Sequence, residues 1–155
     1  MSHKEEIFKY CNDIKKGKIK ACRKIKQAVN RFLKDLERTK DEGFQYEYRQ
    51  DLVDEFLDYA EDLKIADINT DDKKLRLLPW QKWIYAQLVG FVYKLDNSMR
   101  RFRKTFILVS RKNGKTTGFL FPLLLYDFLT VDAAESYLIS GDGAQAKKTF
   151  RELLY

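Results

Sequence analysis

The chain has 155 residues, of which 45% are hydrophobic and 34% charged, so it is long enough for one hydrophobic core and too apolar for a disordered chain. No stretch approaches the ~20 consecutive apolar residues of a membrane span, which excludes a spanning-helix protein and predicts no membrane partner. The net charge of +7 is uneven: residues 1–40 hold 13 basic and 5 acidic groups, residues 41–99 hold 7 and 13, and residues 100–155 hold 10 and 5. A localised basic segment is either a solvated helix face or a nucleic-acid contact.

The first six residues, Met1-Ser2-His3-Lys4-Glu5-Glu6, contain no apolar signal region, and a cytoplasmic location is the expectation. Residues 4–15 read as a short helix interrupted by Gly17. Cys22, Ile25, Val29, Phe32 and Leu36 then recur in steps of three and four with Lys and Arg on the opposite side, an amphipathic helix ended near Gly43. Cys11 and Cys22 form no Cys-x-x-Cys pair and read as apolar helix residues, and His3 has no metal-site company. A second helix is expected over 49–64, apolar along Leu52, Val53, Phe56, Leu57, Ala60 and Leu63 and acidic on its exposed side.

Residues 67–74 form a polar connector. The boundary falls there, with a helical region over 1–70 and a second domain over 71–155. Pro79 suits a first helical turn, so an apolar helix should begin near Trp80 and run to about Val92. Gln81 in that first turn reads either as an exposed glutamine beside a buried tryptophan or as a donor and acceptor for a purine edge. Arg100, Arg101, Arg103 and Lys104 form a solvated turn or part of a polyanion surface.

The apolar run over 105–109 predicts a buried strand. It leads into Ser110-Arg111-Lys112-Asn113-Gly114-Lys115-Thr116-Thr117 and then into an apolar helix ending at Leu129, kinked at Pro122. Strand, tight turn, Gly-Lys-Thr and helix is the order of a phosphate-binding loop. Such a turn aims backbone N–H groups and a helix N-terminus at one spot, where Lys115 would reach the phosphates of ATP and the Thr116 hydroxyl would ligate Mg²⁺. The general pattern has a glycine five residues before Gly114, and Val109 stands there instead. A second strand over 136–140 and a helix from Ala144 complete a βαβα order. The predicted fold class is therefore α/β, with N-terminal helices followed by the start of an incomplete P-loop NTPase parallel sheet.

Six elements occur in order: Leu78-Pro79-Trp80-Gln81, Gly90-Phe91, Arg100-Arg101-Phe102-Arg103, the loop itself, Leu125-Tyr126 and Gln145-Ala146. Together they resemble the ATPase half of the large terminase subunit of tailed bacteriophages, and the helices before them resemble that family's N-terminal region. Loops of this family commonly lack the first glycine and carry an internal arginine, as Val109 and Arg111 do here. The resemblance implies that Pro79, Trp80 and Gln81 help hold adenine. It implies that residues Ser110, Arg111, Lys112, Asn113, Gly114, Lys115, Thr116 and Thr117 cradle phosphate, and that Lys115 and Arg111 serve catalysis. It further implies a motor that packages double-stranded DNA and works with a small terminase subunit, a portal protein and further copies of itself.

The family also uses an apolar strand ending in Asp-Glu to complete the Mg²⁺ site, and none of Asp127, Asp132, Glu135 or Asp142 belongs to an Asp-Glu pair that ends an apolar run. The expectation is a fragment or prophage remnant that binds ATP weakly and hydrolyses it negligibly. The alternative is a non-enzymatic basic module that binds nucleic acid or a protein partner.

Overall fold

The computed structural model describes residues 1–64, 73–137, 139, 141–144 and 146–147. They form two compact units, one of Met1–Leu57 with Leu78–Phe106, the other of Asp58–Leu77 with Ile107–Tyr155.

The first unit is built on helices α1 (His3–Lys15), α2 (Arg23–Arg38), the greater part of α3 (Gln50–Asp62) and α4 (Pro79–Gly90). Ser2 caps α1: its Oγ accepts the Glu5 N–H at 3.2 Å while the Glu5 carboxylate accepts the Ser2 N–H at 2.8 Å. Gly17, with φ of +73°, ends that turn in the left-handed conformation glycine tolerates. Ile7, Cys11 and Ile14 of α1 pack inward with Val29 and Phe32 of α2, the spacing expected of amphipathic helices. Lys82 of α4 is buried, and its Nζ reaches Glu6 Oε2 at 3.0 Å and His3 Nδ1 at 3.2 Å, which ties α1 to α4. The histidine thus serves an intramolecular contact.

The helices over 4–15 and 49–64 stand close to their expected bounds, and Val53, Phe56, Leu57 and Ala60 are buried as read. The helix expected to reach Val92 stops at Gly90, because Phe91–Tyr93 is a strand, β2. It lies between β1 (Tyr46–Tyr48) and β3 (Asp96–Arg100) in an antiparallel sheet, with Tyr48 opposite Phe91 and Tyr46 opposite Tyr93. None of these strands was expected from the sequence. Phe32 packs edge-on against Tyr48 and Phe91, at 5.9 and 6.1 Å between ring centroids, so the sheet closes over α2.

The α4-to-β2 corner demands a residue without a side chain. A Cβ on Gly90 would lie 2.6 Å from Tyr48 Cε2 and 2.7 Å from Val53 Cγ2. Burial also holds the Tyr48 hydroxyl in its neutral form, with its pKa well above the usual tyrosine value. Gly90→Ala is therefore expected to destabilise the protein by about 1–3 kcal/mol despite alanine's better helix propensity. A urea midpoint equal to or above that of the unsubstituted protein would refute the steric account.

The cysteines separate. Cys11 is buried and burial pushes its thiol pKa up to about 12, whereas Cys22 is exposed at the N-terminal cap of α2, not on its apolar face as read from the sequence. Iodoacetamide at neutral pH should modify one thiol per native chain, at Cys22, and two after unfolding. Native modification of Cys11 at a comparable rate would contradict the packing.

In the second unit, the Leu75 N–H bonds the Leu63 carbonyl at 3.0 Å and the Leu77 N–H bonds Glu61 Oε1 at 3.1 Å, fastening residues 75–77 to the end of α3. Tyr59 packs on Tyr126, at 5.4 Å between centroids. The helix after the loop begins as a π-helical turn, Thr116–Leu120, and continues as α5, Phe121–Thr130. Pro122 explains the change of winding. A proline cannot donate the bond an uninterrupted α-helix requires there, and the Phe121 N–H reaches five residues back to the Thr116 carbonyl. The helix is less buried than its composition suggests: Gly118, Phe119, Phe121 and Pro122 are inside, whereas Phe128 and Leu129 are exposed.

The predicted strand over 105–109 is neither paired nor buried. Phe106 is 88% and Leu108 86% exposed, and these residues carry no ladder. Of the second predicted strand, Ser136, Tyr137 and Ile139 are unpaired, and Leu138 and Ser140 lie outside the described residues. The residues of the connector from Asp67 to Asp72 likewise lie outside them, as does Gln145. Gly143, Ala144, Ala146 and Lys147 are helical, in line with the helix expected there. A strand needs a neighbour to complete its ladder, and no described residue pairs with the run before the loop. The mixed helix-and-sheet class stands, with its sheet in a different part of the chain from the one predicted.

Candidate nucleotide-binding site

The loop folds locally because two of its residues adopt the left-handed conformation. Lys112 has φ of +65° and Gly114 φ of +66°, so the chain reverses within three residues. Lys112 has a Cβ and holds this conformation at some cost, of the kind that marks a constrained turn. The Asn113 side chain supports the reversal, its Nδ2 donating to Ser110 Oγ at 2.7 Å and to the Arg111 carbonyl at 3.2 Å. Gly118 N–H bonds the Gly114 carbonyl at 2.7 Å and joins the loop to the helix behind it.

Lys115 closes the loop. Its Nζ donates to the Val109 carbonyl at 2.8 Å, across six residues. The ammonium therefore lies at the mouth of the turn, held by one neutral acceptor that an anion would outcompete. Arg111, Lys112, Asn113, Gly114 and Lys115 are exposed, while Thr116 and Thr117 are half-buried in the first turn of the helix. Residues 111–114 donate no backbone hydrogen bond among the described residues, which leaves their N–H groups available to an external acceptor. The local chemistry is that of an anion cradle: free backbone donors, three cationic side chains and a helix N-terminus. This donor set fits a nucleotide's phosphates. Thr116 is half-buried in the first turn of the helix, and no cluster of three or more His, Cys, Asp or Glu side chains suited to a metal occurs among the described residues.

The adenine-side residues lie in the first unit. Pro79 opens α4 and is exposed, Trp80 is half-buried, and Gln81 is only 5% exposed. The reading of Gln81 as a solvated side chain beside a buried tryptophan is thus overturned, and the deeply buried tryptophan is Trp83. Gln81 Oε1 accepts the Leu78 N–H at 2.8 Å, which satisfies a donor at the start of α4. A carbonyl oxygen engaged in this way leaves the Nε2 donors as the more available edge of the amide.

The basic cluster before the loop divides by role. Arg100 ends β3, whereas Arg101 is more than four-fifths enclosed and forms an ion pair with the buried Asp35, Nη1 to Oδ2 at 2.8 Å. Its guanidinium lies 4.9 Å from the Tyr46 and Phe102 ring centroids and 5.3 Å from those of Phe44 and Phe91. Arg101 is therefore a structural residue, and only Arg103 and Lys104 of the cluster remain exposed as expected. The sequence did carry a signal for this pair. Asp35 falls on the same face of α2 as Phe32 and Leu36, where an acid requires a buried partner.

The family model of the terminase large subunit, ATPase domain, matches residues 79–154. No curated protein and no solved structure matches the chain. The match opens on the residue that starts α4 and takes in the whole loop and the helix behind it. Residues 79–154 of this chain therefore belong to the terminase large subunit ATPase domain family.

Proposed function

We propose that the chain is the nucleotide-binding front portion of a packaging ATPase, with ATP and Mg²⁺ as its ligands. The observation that carries this reading is the loop geometry: left-handed Lys112 and Gly114 leave backbone donors free, and Lys115 Nζ spans the turn to Val109. Lys115 contacts the terminal phosphates, Arg111 contacts phosphate and stabilises the charge on its oxygens, and the remaining donors of Ser110, Lys112, Asn113, Gly114 and Thr117 hold the phosphate oxygens in place. Thr116 supplies a hydroxyl to the magnesium, which when bound neutralises phosphate charge. Pro79, Trp80 and the Nε2 edge of Gln81 hold the adenine.

On this reading the helical region over 1–70 precedes an ATPase portion over 71–155, and residues 105–109 and 136–140 become strands of a parallel P-loop sheet when further strands flank them. Hydrolysis by these residues alone is negligible, because no apolar run ends in an Asp-Glu pair to orient the attacking water. The motor's partners are double-stranded DNA, a small terminase subunit, a portal protein and further copies of the chain, in the bacterial cytoplasm. Titration with Mg-ATP, comparing the unsubstituted chain with Lys115→Ala, tests the nucleotide site directly.

A further inference from the structure

We propose that the outward face of α2 and the turn leading into it bind the phosphate backbone of double-stranded DNA without regard to sequence. Arg23, Lys26, Gln27, Asn30 and Lys34 follow one another at i, i+3, i+4, i+7 and i+11, so they line one face of the helix, and all five are exposed. Lys24 lies at its border, Lys20 extends the charge into the turn before α2, and Lys15 ends α1. The side chains of Lys15, Lys20, Arg23, Lys24, Lys26 and Lys34 pair with no acid among the described residues.

Three observations set this surface apart from an ordinary solvated helix. First, the opening turn of α2 contains Arg23, Lys24 and Lys26 and no acid, and Cys22 makes no side-chain cap, so cations crowd the positive end of the helix dipole. Folding disfavours that arrangement and an anionic ligand reverses the sign of the effect. Second, solvated helices usually offset their cations with acids three or four residues away, yet Arg23 and Lys26 face Lys26, Gln27, Val29 and Asn30 at that spacing, and Lys34, which alone of the three has an acid there, Glu37, makes no ion pair with it among the described residues. Third, the acids of α3 are used within the molecule: Asp51 by Arg49, Asp54 by Gln50, Glu61 by the Leu77 N–H and Asp62 by Lys74. The basic face lacks such internal use.

The chemistry of the face selects the partner. A bilayer-surface helix inserts apolar side chains, but of the apolar residues of α2 Val29 and Phe32 are buried, Ile25, Ala28, Leu33 and Leu36 are half-buried, and none belongs to the basic face. A protein interface needs apolar anchors at its centre, and none lies on the outward face of α2. Single strands are held by aromatic stacking platforms, which this face also lacks. A rigid array of cations on a helix fits a rigid array of phosphates. From Arg23 to Lys34 the helix rises roughly 16 Å, at ~1.5 Å per residue. Over that length a duplex presents about ten phosphates, at one per ~1.7 Å. The inference rests on the packaging reading only for its choice of DNA over RNA, and it does not involve the nucleotide loop.

The test is fluorescence anisotropy of a labelled duplex DNA of about 30 base pairs with the full chain, over salt from ~50 to ~200 mM. The logarithm of affinity should fall with the logarithm of salt at about 0.9 per phosphate contact. Arg23→Gln/Lys26→Gln should lower that slope by about 1.8 and weaken binding tenfold or more at intermediate salt. Lys64→Gln/Lys73→Gln, which removes equal charge elsewhere, should leave the slope within about 0.3 of the original. Lys20→Gln/Lys34→Gln, outside the first turn of α2, repeats the measurement without altering the helix start and should give the same loss. Duplex DNA should also slow alkylation of Cys22, which caps the same helix end. Absent binding, equal losses from patch and control pairs, or an unchanged slope in both patch pairs overturns the proposal. Tighter binding of a duplex RNA of equal length overturns the choice of DNA. None of these outcomes depends on Lys115→Ala, so failure here and failure of the nucleotide site are separately visible.

Discussion

Asp35→Ala is expected to destabilise the protein by about 2–4 kcal/mol, the largest effect of any single polar substitution in the first unit. Asp35 is 4% exposed and accepts from Arg101 Nη1 at 2.8 Å and from Arg38 Nη1 at 3.3 Å. Its loss leaves the Arg101 guanidinium enclosed by four aromatic rings with no counter-charge. Removing one partner of a buried ion pair typically costs about 3–5 kcal/mol, because the remaining charge stays desolvated. Two features reduce that figure: Arg101 keeps 17% side-chain exposure, and the ring faces offer a cation–π attraction of about 0.5–2 kcal/mol. Asp35→Asn, which keeps an acceptor, should cost less than Asp35→Ala. Urea unfolding gives the magnitude, and a double-mutant cycle with Arg101→Met gives the coupling, expected near 2 kcal/mol. If Asp35→Ala shifted stability by less than about 0.5 kcal/mol, the pair would be ornamental and the sheet would owe its position to the aromatic packing alone.

Lys115→Ala is expected to weaken Mg-ATP binding by roughly 10- to 100-fold while changing stability by no more than about 0.5 kcal/mol. The two expectations have one origin. Lys115 is exposed and makes a single neutral hydrogen bond, to the Val109 carbonyl, so the fold does not depend on it. A phosphate would replace that acceptor with a charged one, and hydrogen bonds between charged groups contribute about 1.5–3 kcal/mol. Lys115→Arg should recover only part of the affinity, since a planar guanidinium does not substitute for a compact ammonium inside a tight turn. Calorimetry or equilibrium dialysis with Mg-ATP reads the first expectation and a thermal melt the second. Equal affinity in both proteins would remove Lys115 from the site. A large stability loss would mean instead that the lysine is a strut of the loop.

The two unanticipated clusters explain where reading a sequence stops being sufficient. Arg101 looked like one of four surface cations because Arg100, Arg103 and Lys104 stand beside it in the sequence. Its burial depends on Asp35, Phe44 and Tyr46, which lie more than fifty residues earlier in the chain. Gln81 looked solvated because it follows Pro79 and Trp80 at a helix start, yet the α4 packing buries it and directs its Oε1 to Leu78. Pairings between distant segments leave no periodic trace in either segment taken alone.

By itself the sequence determined what depends on near neighbours. Apolar residues in steps of three and four placed α2 and α3, Gly17 marked the end of α1, and Pro79 set the start of α4, all within a few residues of their structural positions, whereas Gly43, expected to end α2 in a left-handed turn, has no positive φ. The loop was legible for the same reason, since Asn113, Gly114 and Lys115 form a turn from contacts within eight residues, as was membership of the terminase ATPase family over residues 79–154. Only the tertiary structure decided the sheet. Strands of three to five residues carry almost no local signal, and β1 is ordered by β2, which lies more than forty residues away. The apolar run over 105–109 had the composition of a strand, but a strand exists only where a neighbour accepts its hydrogen bonds, and no described residue does so for Phe106 or Leu108.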